Sequence, residues 1–178
     1  MKICWCRFNI YLAVALAAAS VCGCRTSAES KAKKELSTLR LHLESGRDVS
    51  VTSEVVPVYR EHPYMVSVDK MPFLNESDVA SAKVVDVVGG FALRIQFNHS
   101  GTATLEQYTI ANRGRKIAVF SQFGEELMNI RWLAAPYISQ RISDGVFLFT
   151  PDATREESED IARGLNNVAK KTTTWIDK

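Results

Sequence analysis

From Phe91 to Phe120 the chain reads FALRIQFNHS GTATLEQYTI ANRGRKIAVF. The apolar residues up to Phe97 describe a strand. Leu105, Tyr108 and Ile110 then mark the inner face of a helix over about 102–113. Gly114 supplies the left-handed residue that ends it. Lys116–Ser121 follows as a strand apolar enough for a buried, central place in a sheet.

Toward the amino terminus, Val84–Val88 and Phe91–Phe97 flank Gly89-Gly90. Two glycines supply the positive φ angles of a tight turn, so this is a β-hairpin. A phosphate-binding loop would need a glycine fingerprint that is absent here. Asn75-Glu76-Ser77-Asp78 is a polar cluster that predicts the capped start of a short helix carrying Val79, Ala80 and Ala82. Val55–Arg60 and Tyr64–Val68 are β-rich, with Pro57 and Pro63 unsuited to central-strand positions. Leu39-Arg40-Leu41-His42-Leu43 alternates as a strand does, and Ser45–Asp48 reads as a turn or loop.

Toward the carboxyl terminus, Trp132–Ile138 is extended and turns at Pro136, and Gly145–Thr150 is a further strand. Thr154-x-x-Glu157 is a capping box, and it opens a helix with Ile161, Leu165 and Val168 on one face. The expected fold is therefore α+β. A mixed or mostly antiparallel sheet carries the hairpin, and the two longer helices pack on one face.

The chain has 178 residues and 46% hydrophobic content, which suits one globular domain plus a targeting segment. Of its 22 basic residues, Lys2 and Arg7 lie in 1–23, which holds no acid; the remainder is balanced at 20 basic and 20 acidic. Such a balance gives no field to steer the protein onto nucleic acid. All four cysteines (Cys4, Cys6, Cys22, Cys24) lie in the first 24 residues. A disulfide framework, a cysteine-based zinc site and a cysteine nucleophile within the folded domain are thereby excluded.

After Lys2 and Arg7 comes an apolar run from Phe8 to Val21, about 14 residues long. It is too short for a comfortable membrane span of roughly 20 residues and fits the core of a secretory signal. Val21-Cys22-Gly23-Cys24 resembles the bacterial lipobox, which implies lipidation of Cys24. Acyl chains would hold the protein to a membrane at about 0.8 kcal/mol per buried methylene. Cleavage near Ala17-Ala18-Ala19, releasing a soluble secreted protein, is the alternative, and an uncleaved anchor is a third. The domain expectation is a lipoprotein signal over 1–23, a polar tether over 24–36, leading strands over 37–74 and the principal α+β region over 75–178.

The central and carboxyl-terminal segments resemble a known family. Thr109-x-x-Asn112-x-Gly114, Ala118-Val119, Ala134-Ala135-Pro136-x-Ile138, Ile142-x-x-Gly145 and Thr154-x-x-Glu157 leading to Ala162-x-x-Leu165-Asn166 follow in order. Their order and spacing are similar to the head subdomain of the first periplasmic region of SecD, the accessory subunit of the bacterial protein-export channel. The resemblance covers roughly 75–167. It implies a head-like fold and a role in engaging emerging polypeptide or export machinery, with no cofactor. It departs from the family in the turn after the Ala-Val strand, where Phe120–Gly124 is followed by Glu-Glu-Leu-Met-Asn. It departs again before the last helix, where Pro151 and Ala153 stand for the family's glycine and phenylalanine. The membrane motor of SecD has no counterpart in this sequence.

His42, His62 and His99 are far apart and have no ligand-spaced partner, so no metal or catalytic constellation is read from them. The acidic run Glu156–Asp160 belongs to the first turns of a helix, where it complements the dipole. Thr109, Asn112, Gly114, Ala135, Pro136, Gly145, Thr154 and Glu157 are read as structural: helix ends, turns and close packing. Arg113, Arg115 and Lys116 form a small basic edge. Phe123 and Trp132 are candidates for an exposed apolar surface that meets a partner. The functional expectation is a non-enzymatic, lipid-anchored envelope module facing the periplasm. A small periplasmic hydrolase and a purely structural lipoprotein are the alternatives. Arg25, after the modified cysteine, favours the outer membrane.

Overall fold

The computed structural model describes Ala32, residues 35–46 and residues 51–176. The chain divides after Lys34 into two units, the second of them Glu35–Lys178. The expected signal, Cys24 and most of the tether lie outside the described residues, as does much of the Ser45–Asp48 loop. The second unit is the α+β domain.

Its elements run β1 (Thr38–Leu43), β2 (Ser53–Val58), β3 (Tyr64–Asp69), β4 (Leu74–Asn75), β5 (Val79–Val87), β6 (Gly90–Phe97), α1 (His99–Ala111), β7 (Ile117–Phe123), β8 (Asn129–Ala134), β9 (Val146–Phe149) and α2 (Arg155–Ile176). The strands form three antiparallel sheets: β4-β1-β7-β8, β5-β6-β9 and the β2-β3 pair. The hairpin at 84–97 therefore sits in its own three-stranded sheet.

Alternation sets the two faces of the four-stranded sheet. Leu39, Leu41 and Leu43 of β1 and Ile117, Val119 and Phe123 of β7 point into the main core with Leu133 of β8. Leu105 of α1 and Ile161 and Leu165 of α2 enter that same core. The opposite face is covered by the β2-β3 hairpin. There Val56, Val58, Val66 and Val68 meet Ala118 and Ala135, with Tyr64 and Trp132 at the margin, as a second, smaller cluster.

The hairpin joint holds Val88 and Gly89 as its turn pair, since Val87 faces Gly90. Gly89 carries the φ of +88° that a side chain resists. The expected helix at 79–82 is absent. Asn75 does cap a turn, its side chain accepting the Ser77 N–H at 2.9 Å while Asp78 closes the box on the Asn75 N–H at 3.0 Å. That turn stops at Asp78, and Val79 begins β5. A bulge between Val79 and Ser81 puts both Val79 and Ala82 inward, three residues apart. That spacing mimics a helical repeat. In α1 the buried positions are Gly101, Leu105 and Thr109, and Ile110, expected inside, is 52% exposed. Gly164 lets α2 pass against the start of β1, since a Cβ there would lie 2.2 Å from Ser37 Oγ.

Candidate functional site

The residues that carry the family resemblance hold the scaffold. Thr109, fully buried, donates its hydroxyl to the Leu105 carbonyl at 2.8 Å and accepts the Ile142 N–H at 3.1 Å. Asn112 caps α1, donating to the Tyr108 carbonyl at 3.0 Å and accepting from the Arg115 guanidinium at 2.7 Å. Gly114, at φ +83°, donates its N–H to Ile138. Pro136 offers its carbonyl to Ile117 at 3.0 Å, and Ala135 is buried against the hairpin. Gly145 has φ +67°, and a Cβ there would lie 2.1 Å from Thr102 Oγ1.

Thr154 and Glu157 form the expected box at the start of α2. The Glu157 N–H donates to Thr154 Oγ1 at 3.1 Å, and the Thr154 N–H donates to the Glu157 carboxylate at 2.8 Å. The same carboxylate takes a two-pronged grip from Arg131 of β8, at 3.0 and 2.8 Å. The guanidinium beside it holds the Glu157 carboxyl down at about 2, with the Thr154 N–H helping and burial opposing. Arg131 also donates to the Asp152 carbonyl and lies 5.1 Å over the Phe123 ring. One side chain thus ties β8, the 150–154 connection and α2 together.

Phe123 is 1% exposed, so it is a core residue and not part of a partner surface. The alternation of β7 could have placed it: Phe123 shares parity with Ile117 and Val119, whereas Phe120 lies on the opposite side. Trp132 is half-buried on that opposite side. Its ring lies 5.1 Å from His42, edge-on, and 5.1 Å from Phe120.

Beside Trp132 is a groove of about 340 Å³, lined by Tyr59, Pro63, Phe120, Ile130 and Trp132 with Pro57 close by. It opens between the hairpin tip and the edge strand β8. Its polar margin is Arg60, whose backbone N–H donates to the Asp152 carboxylate at 2.8 Å and whose side chain pairs with it at 3.3 Å. Tyr59 has a φ of +66°. A bulky residue in that region is rare and signals a turn held by its surroundings. Rings continue beyond the groove: Tyr59 lies 5.8 Å from Tyr64, and the Lys116 ammonium sits over Tyr64 and Tyr137 at 4.7 and 5.0 Å. Burial pushes the Tyr64 phenol up, and Lys116 pulls it back. Of this groove, the sequence reading singled out Trp132 alone. It reads Pro57 and Pro63 only for strand position, and that they bracket Tyr59 at a hairpin tip is the signal of a surface.

The histidines stay apart. His42 is buried beneath the hairpin, with Nδ1 2.8 Å from the Asp69 carbonyl. Burial pushes its imidazole below the ordinary value, against the opposing effect of that hydrogen bond. His62 and His99 are exposed in the hairpin tip and at the start of α1. Among the described residues no group of three or more His, Cys, Asp or Glu is placed to hold a metal ion. Among them, too, no helix is long and apolar enough to cross a membrane.

Residues 53–169 match the model of the SecDF P1 head subdomain. Two solved structures share the fold. One is described as a membrane component SecDF that enhances protein export; it is 18% identical, with 80% of this chain and 67% of that one aligned at a TM-score of 0.54. The other is SecDF in a super-membrane-facing form, also 18% identical, with 77% of this chain and 20% of that one aligned at 0.53. At that identity the likeness is one of fold, and it agrees with the expected α+β, head-like architecture. Among curated proteins none matches the chain.

Proposed function

We propose a non-enzymatic, protein-export-related role for this chain, which belongs to the SecDF P1 head subdomain family. In this reading it is an envelope protein held to a membrane by lipid on Cys24, facing the periplasm, at the outer membrane. Its head engages exported polypeptide or a component of the export machinery.

The observation that carries the reading is the family match over 53–169. The groove supports it. Rings and prolines beside an edge strand suit an extended chain, whose backbone pairs with the strand while its side chains fill pockets. The polar groups at its margin are engaged in structural pairs, Arg60 with Asp152 and Arg131 with Glu157. That arrangement suits binding and offers no free nucleophile and base for hydrolysis.

In-cell crosslinking of the tagged full chain, followed by mass spectrometry, tests the reading, with Cys24→Ala alongside. We expect export-channel subunits or unfolded cargo among the products, and their loss in the variant. Recovery of abundant envelope proteins alone, unchanged by Cys24→Ala, would sink it in favour of a structural lipoprotein with a reused scaffold.

A further inference from the structure

We propose that the rings running from Tyr137 to Trp132, with Ile130 beyond them, form one docking track for an extended polypeptide segment, uncharged along its length and acidic at the end that meets Lys116. The inference rests on the export-linked reading and assigns to it a surface and a sequence class.

The geometry of the track comes from successive contacts. Tyr137 is 66% exposed, and with Tyr64 it brackets the Lys116 ammonium. Tyr64 leads to Tyr59 at 5.8 Å, and Tyr59 enters the groove that holds Phe120, Trp132 and Ile130. Ile130, at the far end, is 61% exposed. Same-side residues of an extended chain repeat about every 6.6 Å. The ring pairs Tyr59–Tyr64 at 5.8 Å and Phe120–Trp132 at 5.1 Å are spaced close to that repeat, so each pair can receive alternate side chains of the segment.

Charge then selects the segment. In the groove Arg60 pairs with Asp152 and Arg131 with Glu157, so each cation is neutralised where it stands. A charged side chain entering there would lose its water and find no free partner. The other end differs. Arg113 donates to the Ser139 carbonyl, and Arg115 to Asn112 and to the Glu44 carbonyl. The Lys116 ammonium faces its two rings. The Glu44 carboxylate nearby accepts the Lys116 backbone N–H at 2.9 Å. Three cations against one carboxylate leave that end positive, complementary to an acidic residue.

A polypeptide fits better than a glycan. β8 ends its sheet, and on its outer side only the Leu133 carbonyl is taken among the described backbone groups, by the Asp152 N–H at 2.7 Å. The stretch beside Ile130 can pair with an added strand. A sugar ring would instead need free polar forks, and those in the groove are engaged.

The probe is a labelled ten-residue peptide of alternating Pro with Val or Leu, ending in Asp, with a matched peptide ending in Lys. Anisotropy titrations use the full chain in phosphatidylcholine nanodiscs. We expect saturable binding, at least fivefold tighter for the Asp-ended peptide. Ile130→Asp, at an exposed position, should weaken both peptides at least tenfold, and Lys116→Glu should invert the preference between them. No saturable binding, or binding indifferent to both variants, overturns the proposal. So does binding of a chito-oligosaccharide, lost in Ile130→Asp, in place of the peptides. Failed titrations with intact crosslinking to exported chains overturn this surface alone; peptide binding with failed crosslinking overturns the export role alone.

Discussion

Glu157 serves two partners with one carboxylate, the Thr154 N–H and the Arg131 guanidinium, while its backbone N–H donates to the Thr154 hydroxyl. Its side chain is 24% exposed and that of Arg131 is 15%, so solvent screens the pair less than an ordinary surface bridge. The folded carboxyl titrates at about 2 against an ordinary 4.5. A depressed carboxyl adds stability above its unfolded value, and that stability is lost as pH falls toward its folded value. Between pH 4.5 and 2 the domain should therefore lose about 2–3 kcal/mol through this residue. Glu157→Gln keeps the shape and removes the charge. Chemical denaturation should find the variant about 2–3 kcal/mol less stable at pH 7 and equal to the natural chain near pH 2. A gap that stays constant with pH would mean that the lost stability does not come from the ionisation of the carboxylate.

Among the elements, β5 shows how an edge is closed without another strand. The Asn166 side chain of α2 donates to the Ala82 carbonyl and accepts the Ala82 N–H, both at 2.8 Å. One amide thus imitates a strand partner and blocks pairing with a second chain at Ala82. Asn166→Ala strands both backbone groups and should cost about 1–3 kcal/mol. Hydrogen exchange should show the Ala82 amide losing protection ahead of the rest of β5. This contact joins residues 84 apart in the chain, and no local pattern announces it. What was legible in the sequence was local: the β1 alternation, the glycine joint at 89–90, the Thr154 box and the Ile161 and Leu165 face of α2. What was not legible came from context. The bulge at 79–81 wrote a helical spacing into a strand. The burial of Thr109 in place of Ile110 depends on a polar contact to Ile142. The split into three sheets depends on which strands meet.

At the scale of the whole domain, the four-stranded sheet separates two cores of unequal size. The main core joins both helices and seven strands, while the hairpin rests on a cluster of six buried residues with Tyr64 and Trp132 at its edge. Besides that cluster, it is tied by the Asp69 carbonyl on His42, by the Ser45 N–H on the Ser67 carbonyl beside the Glu44–Val68 bridge and by the Arg60–Asp152 latch. So small a seat should open on its own at lower free energy than the domain unfolds. Asp152→Ala removes the latch, which joins the hairpin tip to the connection before α2. Amides of Val56, Val58 and Val66 should then exchange about tenfold faster, roughly 1.4 kcal/mol, while those of Leu41 and Val119 keep their rates. Acid should act in the same direction. Burial lowers the His42 value, with Arg40 assisting and Glu54 and Asp69 opposing, so the opened form binds a proton more readily than the closed one. The closed form is favoured above the ordinary histidine range and loses ground as pH falls through it. Hairpin amides should therefore exchange relatively faster at pH 5.5 than at pH 7.5, after correction for intrinsic rates, with Leu41 and Val119 unmoved. Exchange that rises equally in both cores would show a single cooperative unit, and the groove at the hairpin tip would then be as rigid as the core beneath it.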